Sequence, residues 1–574
     1  MTLTDNWFWQ LSQWLQYNEN EPLVFTSLFF WVFYAFVLGV YSVVYRHMPF
    51  RNAFLFFVSL YFYYKTSGFF FTILLFSTLT DYLIGFKIAD AKSEAGRKIW
   101  LGLSIFLNLG VLIYFKYAYF FADSFNAILG TQYHPINHFA KLTNQLTGST
   151  FRVDQILLPV GISFFTFQTM SYAIDVYRKE IPPVRNLLDF GFYVSFFPQL
   201  VAGPIVRAAE FIPQLYRPYQ LSREMWGMSL FWILNGLMKK VFLADFIAIR
   251  LVDRVFDNPT SYTGFENLLA LYGYSLQVYA DFSGYTDIAI GVAMLLGFTL
   301  PKNFNSPYKA IHPGEFWRRW HISLSTWLRD YLYIPMGGNR GHSLFTWITL
   351  GIFLCFVMLI AGTWEAIFFT ITGMMLLVSA YGLFPRFGKW LTTNINMMMT
   401  MLLGGLWHGA SWNFVIWGGL NGLGIMLTKL FVPKGVDLRK IKWYVRFLAV
   451  FVTFHFITFT RIWFRSGSKN TWEDMNEKHL LTDDLATANQ MLKQLFTKMD
   501  FSIAPQVIEG YALVCAVMVG GFIIHWLPEM LKQRYRKAFA HAPIALQFAI
   551  TCVAALIIYQ VLSLGMNPFI YFQF

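Results

Sequence analysis

Charge is what this chain has least of. Asp, Glu, Lys and Arg make up 13% of its 574 residues, about half the roughly 25% of a soluble globular chain. Apolar residues reach 56% and aromatics 20%. A single soluble core stops growing at a few hundred residues. That much apolar surface excludes an ordinary soluble enzyme, and it equally excludes a disordered chain. Cysteine is scarce too. The three, Cys355, Cys515 and Cys552, lie in apolar runs without any CxxC pair, so neither a zinc site nor a disulfide framework is indicated. They read as small buried residues. Also missing are a pair of histidines at i,i+4, a glycine-rich phosphate loop, a Walker sequence and a nucleophile elbow. No internal repeat is visible, so a transporter built from inverted repeats gains no support.

What is present is a series of long apolar runs. The first, Val24 to Tyr45, carries no acidic or basic side chain and at 1.5 Å per residue reaches about 33 Å, enough for a bilayer core. Further runs start at Asn52 and near Gly68, span Ile99 to Phe121, and extend from about Gln155 to Val176. Others follow at about 343–361, 364–384, 394–430 and 445–463. The 394–430 stretch is too long for one straight span and contains Gly404, Gly405 and Gly409, so it is expected to be either broken or tilted. Between 187 and 345 the runs are short and interrupted by Gly, Pro and charge. Such backbone survives at membrane depth only where protein or a water-filled cavity shields it. The reading is an all-α polytopic membrane protein with roughly 11–13 membrane or re-entrant helices.

The net charge of +13 is scattered between the apolar runs and gives topology rather than a nucleic-acid surface. The first 23 residues hold Asp5, Glu19 and Glu21 but no Lys or Arg. Basic turns at Lys87–Lys98 and Arg178–Arg185 alternate with poorly basic ones. This places the N-terminus outside and the basic turns in the cytoplasm. Lys532, Arg534, Arg536 and Lys537 separate the last two runs, which returns the C-terminus to the outside. The polar insert 466–507 faces outward on the same count.

Ionisable groups inside apolar runs are functional candidates by default. The strongest is His408, in MLLGGLWHGASWNFVIWGGLNG (401–422), with no other ionisable residue nearby. Trp407 and Trp412 supply rigid walls with an indole N–H each, and Asn413 and Ser411 supply hydrogen bonds. A histidine there either bridges two helices or takes a proton from a hydroxyl and returns it. The second candidate is His321. Trp317, His321, Ser325 and Arg329 recur every four residues, predicting one helix face. Arg318, Arg319 and Arg329 suit an anionic group such as pyrophosphate, or lipid head groups. Asp281, beside Ser283 and Asp287, either orients a base or caps a helix. His455 and His525 read as packing residues. No metal site is indicated.

At these residues the sequence resembles the membrane-bound O-acyltransferase family, in its bacterial branch resembling the alginate O-acetyltransferase membrane subunit. The matching stretches are SFFPQLVAGPIVR (195–207), YADFSGYTDIAIGVAMLLGF (279–298), NFNSPYKA (303–310), FWRRWHISLSTWLRDYLYIPMGGNR (316–340) and GGLWHGASWNFVIWGGLNG (404–422). The resemblance implies helices around a central chamber, with His408 as the key catalytic residue and His321 as its companion. Asp281, Trp407, Asn413 and Ser325 are supporting candidates, and Arg318, Arg319 and Arg329 candidates for donor binding. The segments then divide into an extracytoplasmic 1–23, membrane helices 24–186, a catalytic core 187–430, a membrane helix with flanks 431–465, the extracytoplasmic insert 466–507, and C-terminal helices 508–574.

The implied activity moves an acetyl group from a cytoplasmic thioester, acetyl-CoA, to a hydroxyl of an extracytoplasmic polysaccharide. Transfer is either direct or passes through an SGNH-type partner. Acetyl-CoA is a substrate here, and no bound prosthetic group is expected. The expected setting is the bacterial inner or cytoplasmic membrane, among lipids and without nucleic acid. Two alternatives stand beside it: D-alanyl transfer from a carrier protein to teichoic acid, and a non-catalytic polysaccharide transporter.

Overall fold

The computed structural model describes residues 14–18, 21–147, 152–361, 364–431, 442–468 and 485–562. The described residues are helical throughout their regular structure, with no strand among them. Most of the 1–23 segment, the centre of the 466–507 insert and the C-terminus lie outside these residues.

The first four long helices are α1 (Leu28–Val44), α2 (Met48–Ser67), α3 (Phe71–Asp90) and α4 (Glu94–Leu112). Side-chain oxygens start two of them. Ser27 accepts from the Phe30 amide at 3.2 Å, and Ser93 from the Gly96 amide at 3.0 Å, each satisfying a donor that the first turn leaves open. A five-residue π turn, Ile113–Tyr117, extends α4 into the helix Ala118–Leu129. Next come α5 (Ile162–Tyr177) and, after shorter helices that include Leu187–Ser195, Ala208–Leu215 and Arg223–Met238, the long α6 (Gly264–Leu295), opened by a capping box between Thr263 and Glu266. The short α7 (Ile322–Leu328) precedes three long helices, α8 (Pro385–His408), α9 (Trp412–Phe431) and α10 (Trp443–Gly467).

Met48–Asp90, Glu94–Asn126 and Trp443–Gly467 are each long and apolar enough to cross a membrane, and two bent helix pairs near the C-terminus pass as pairs. The helices are apolar on both faces. On α1, Phe30, Tyr34, Val37 and Tyr41 are buried, while Leu28, Val32, Phe36 and Val43 are exposed on the opposite side. A helix apolar all round with one face turned outward is a helix in lipid, and the fold is an all-α polytopic membrane protein.

This two-sidedness corrects the reading of the cysteines. Cys355 and Cys552 are exposed and Cys515 is half-buried. An apolar run has two destinations in a membrane protein, core and lipid, and hydropathy does not separate them.

The 394–430 stretch is broken, between His408 and Trp412. The two arms, α8 and α9, pack backbone to backbone. A Cβ on Gly405 would stand 2.3 Å from the Phe414 carbonyl oxygen, and one on Gly418 would stand 2.3 Å from that of Met401. Such approach is the usual device of membrane helices, which lack a hydrophobic drive toward each other. Several buried charges are paired. Lys240 binds Asp245 at 2.7 Å and Asp281 at 2.8 Å, and Lys239 binds Asp287 at 2.6 Å. Asp81 accepts from Ser104 at 2.5 Å and Asn108 at 2.6 Å.

The α8–α9 contact yields a direct test. Gly405→Ala and Gly418→Ala should each destabilise the protein by about 1–3 kcal/mol, the usual cost of overpacking. Gly419→Ala should be tolerated, because its nearest neighbour is the tip of Leu402 at 3.4 Å. Thermal unfolding of the purified variants checks this, and equal loss at all three positions contradicts the contact.

Candidate active site

His408 is the last residue of α8. Gly409 follows in extended conformation, and the chain turns back into α9 within four residues. A helix ending inside a membrane protein leaves carbonyls that water cannot reach. Here the π turn supplies them with donors. Lys116 Nζ donates to the Trp407 carbonyl at 2.7 Å and more weakly to that of His408 at 3.3 Å. Tyr117 donates its hydroxyl to the Leu406 carbonyl at 2.7 Å. The cation also sits at the end of the helix where the dipole favours positive charge.

The His408 imidazole is 2% exposed and enclosed by rings. Trp407 lies at 5.0 Å, Trp417 at 5.1 Å and Phe464 at 5.3 Å between centroids. His321 is fully buried and packs against Phe282 at 4.6 Å and Trp407 at 5.9 Å. The structure therefore brings the two histidines of the sequence reading against one indole, whose Nε1 has no hydrogen-bond partner among the described residues. Beside them is a small cavity lined by Lys116, Gly161, Ser163, Phe164, Trp407 and His408, open to about 20 Å³, room for one water-sized molecule.

The single helix face predicted through Trp317, His321, Ser325 and Arg329 is not formed. The helix Pro313–Trp317 stops, and His321 takes φ +44°, left-handed backbone that no helix continues through. Asn303 holds this turn. Its Oδ1 lies 3.2 Å from His321 Nδ1 and accepts from the Ser323 amide at 3.0 Å and hydroxyl at 2.9 Å. The interruption aims His321 inward. Ser325 donates to the Trp320 carbonyl at 3.3 Å, a local bond within the turn.

The arginines separate. Arg319 is held by Glu315 at 2.7 Å, and Arg329 by Asp330 at 2.6 Å. Arg207 pairs with the same Asp330. Arg318 is exposed and has no acidic partner among the described residues. Asp281 lies mid-way along α6, so helix capping is ruled out for it. It anchors α6 to Lys240, while its neighbour Phe282 touches His321. Asn413 is fully buried at the start of α9, where its amide donates to Ser411 Oγ at 3.1 Å. His525 is buried and accepts from the Tyr308 amide at 3.2 Å. His455 bonds the Phe451 carbonyl of its own helix at 2.7 Å.

Two groups beside the histidines escaped the sequence reading, Lys116 and Arg461. Both are ionisable residues inside apolar runs, the signal that singled out His408.

Comparison with known proteins gives this geometry a context. The family model of the membrane-bound O-acyltransferases matches residues 178–387, a span that contains His321 and stops short of His408. The probable alginate O-acetylase AlgI of Azotobacter vinelandii is 37% identical over 438 residues, covering 75% of this chain and 74% of the relative. The peptidoglycan O-acetyltransferase of Helicobacter pylori is 31% identical over 458 residues, covering 75% and 73%. The teichoic acid D-alanyltransferase of Bacillus subtilis is 28% identical over 319 residues, covering 52% and 67%. Identity at this level, spread over three quarters of both chains and joined to the family match, places the chain among the membrane-bound O-acyltransferases.

Proposed function

We propose that this acyltransferase moves an acetyl group from acetyl-CoA on the cytoplasmic side to a hydroxyl on the outer side. The hydroxyl belongs to an extracytoplasmic polysaccharide or to an SGNH-type partner that relays the group, and His408 is the general base. The observation that carries this reading is the meeting of His408 and His321 at one indole, Trp407, inside a wall of rings. The higher identity to the two O-acetyl-transferring relatives than to the D-alanyltransferase favours acetyl over D-alanyl.

The chemistry follows from the groups present. A thioester carbonyl is already activated, whereas a protonated hydroxyl is a poor nucleophile. His408 takes the hydroxyl proton as oxygen attacks the carbonyl carbon, then returns it to the departing sulfur. The ring wall keeps bulk water away from the thioester. Lys116 holds the helix end, and with it the imidazole, in place. His321, fixed by Asn303, positions the reacting groups from its own contact with the same indole.

Access from two sides fits the fold. Arg178 donates to the Asp330 carbonyl at 3.0 Å, so a basic turn assigned to the cytoplasm meets the arginine-rich 318–330 segment. At the opposite end Lys65 donates to the Trp14 carbonyl at 2.8 Å, and Ser67 accepts from the Val160 amide at 3.1 Å. That gathers the N-terminal segment and two poorly basic links, which the proposal places outside.

Three outcomes are expected. His408→Gln keeps the size of the side chain but not its proton exchange. Labelled acetyl transfer from acetyl-CoA to deacetylated alginate oligosaccharide, with envelope extract as a source of partner, should slow by ~10²–10⁴-fold while the variant still inserts and binds donor. Turnover within about twofold of the parent sinks the base assignment. Aminoacylated carrier protein, offered instead of acetyl-CoA, tests the D-alanyl alternative.

Arg318→Gln should raise the acetyl-CoA concentration needed for half-maximal rate, since this guanidinium is available to phosphate. A change confined to acceptor dependence removes it from the donor path.

A cysteine at Asn18, in a background lacking Cys355, Cys515 and Cys552, should react with an impermeant maleimide in intact cells. Reaction only after permeabilisation inverts the topology. Asp484, the matching position in the insert, lies outside the described residues.

A further inference from the structure

Arg461 has an environment unlike that of any other arginine described. It sits on α10, 1% exposed, and none of its three guanidinium nitrogens has a hydrogen-bond partner among the described residues. The ion pair on this helix belongs to Arg465, which binds Asp253 at 2.7 Å. The Arg461 charge lies over two rings, Trp320 at 4.4 Å and Phe464 at 5.3 Å. Tyr308 is a polar neighbour: the phenol oxygen faces the guanidinium as a neutral acceptor while the hydroxyl donates to the Ser275 carbonyl, so no counter-charge is supplied.

The position matters because of what lies across the rings. Phe464, under Arg461, is also one wall of the His408 cage, at 5.3 Å from the imidazole. Trp417, at 4.7 Å from Phe464 and 5.1 Å from His408, closes the same corner. Two further donors nearby are buried without a partner: the indole N–H of Trp407, and that of Trp317, whose ring is 5.5 Å from Trp417. On the other side of His408 stands the Lys116 ammonium, bound to two carbonyls and the Ser163 hydroxyl. The surroundings of His408 thus hold two cations and two indole donors without a partner, and among the described residues neither cation has an ion pair with a carboxylate.

A buried guanidinium without a counter-charge is costly, and aromatic faces offset only part of that cost. Where such a residue borders a reacting group, its natural complement is negative charge that appears during the reaction. We propose that Arg461 steadies the negative charge that develops on the thioester during acyl transfer. The proposal rests on the assignment of His408 as base. In that step the acceptor oxygen bonds to the carbonyl carbon, its proton passes to His408, and the carbonyl π pair moves onto oxygen. Collapse then breaks the carbon–sulfur bond. The oxygen pair re-forms the carbonyl, and the sulfur leaves with the carbon–sulfur bonding pair and takes the proton from His408. Negative charge rests first on oxygen and then on sulfur, and Arg461 supplies the fixed positive charge for both.

The test uses the full chain in lipid nanodiscs, with Arg461→Met, Arg461→Lys and His408→Gln side by side. Thermal stability, transfer rate and binding of the unreactive dethia analogue of acetyl-CoA are measured for each. Arg461→Met should melt at the parent temperature or above it, because an uncompensated buried charge has been removed. It should bind the analogue as the parent does, and lose about 10²-fold in kcat, as an enzyme does when one donor to the developing charge is deleted. Arg461→Lys, which keeps the charge, should fall between the two. The Arg461→Met deficit should shrink with fluoroacetyl-CoA, whose fluorine already draws charge from the carbonyl. A kcat within about threefold of the parent overturns the proposal. So does a fall in melting temperature or a failure to accumulate in the membrane, since either marks a structural arginine. An Arg461→Lys no better than Arg461→Met also overturns it. His408→Gln keeps the two assignments apart. If it is inactive while Arg461→Met is active, only the arginine proposal falls; if it is active, the base assignment falls.

Discussion

The end of one helix inside the protein is the constraint on which the site depends. α8 stops at His408 with its last carbonyls far from water, and a helix end left so is not tolerated at membrane depth. Lys116 and Tyr117 satisfy three successive carbonyls, those of Leu406, Trp407 and His408. They come from adjacent positions on one strand of backbone because a π turn runs through Ile113–Tyr117. A regular α-helix there would set the two side chains at a different angle. The irregularity in the first helices and the position of the imidazole, nearly three hundred residues later, are one arrangement.

The glycines of α8 and α9 serve the same end from the opposite direction. With backbone contact at Gly405 and Gly418, the two arms lie close enough for the turn between them to be short. A short turn keeps Trp407, His408, Ser411 and Asn413 within one small volume. Bulkier residues would part the arms and widen the space around the imidazole. The packing that holds the pair together and the enclosure that shields a thioester from water therefore share a cause, and a change meant to affect one will reach the other.

Much of this was legible in the sequence, for reasons that differ by element. The spans were visible because twenty apolar residues have few other uses. That 394–430 could not be one straight helix was visible in its length and glycines, though not that the break falls after His408. Both histidines stood out as ionisable groups in apolar surroundings. The geometry of 316–329 was not legible, because a four-residue spacing predicts a helix face only if the helix is unbroken. The left-handed turn at His321 depends on Asn303, which lies in a different segment. Asp281 misled for a related reason: its meaning lies in Lys240, a partner that only the fold supplies. The cysteines misled because lipid and core look alike to hydropathy. Lys116 and Arg461 met the same criterion as His408 and were passed over. What marks them is a position beside the imidazole, and position is what a sequence without a structure lacks.

Taken together, the groups around His408 share one chemical bias. Prominent among its surroundings are aromatic rings, which cannot accept a strong hydrogen bond in their plane, and donors: Lys116, Arg461 and the indoles of Trp407 and Trp317. Among the described residues, carboxylates of the core are paired elsewhere, Asp281 and Asp245 with Lys240, Asp287 with Lys239, Asp253 with Arg465 and Asp330 with Arg207 and Arg329. A site of donors with its acids turned away does not suit a cationic substrate or a second basic nucleophile. It suits a neutral molecule that becomes negative as it reacts. A thioester under attack by an alcohol is such a molecule, neutral when bound and anionic at the top of the barrier. The low-dielectric wall of rings raises the value of every fixed positive charge at that moment. The aromatic enclosure and the uncompensated cations thus act as one device: the rings exclude the water that would screen the charge, and the cations supply what the water would have given.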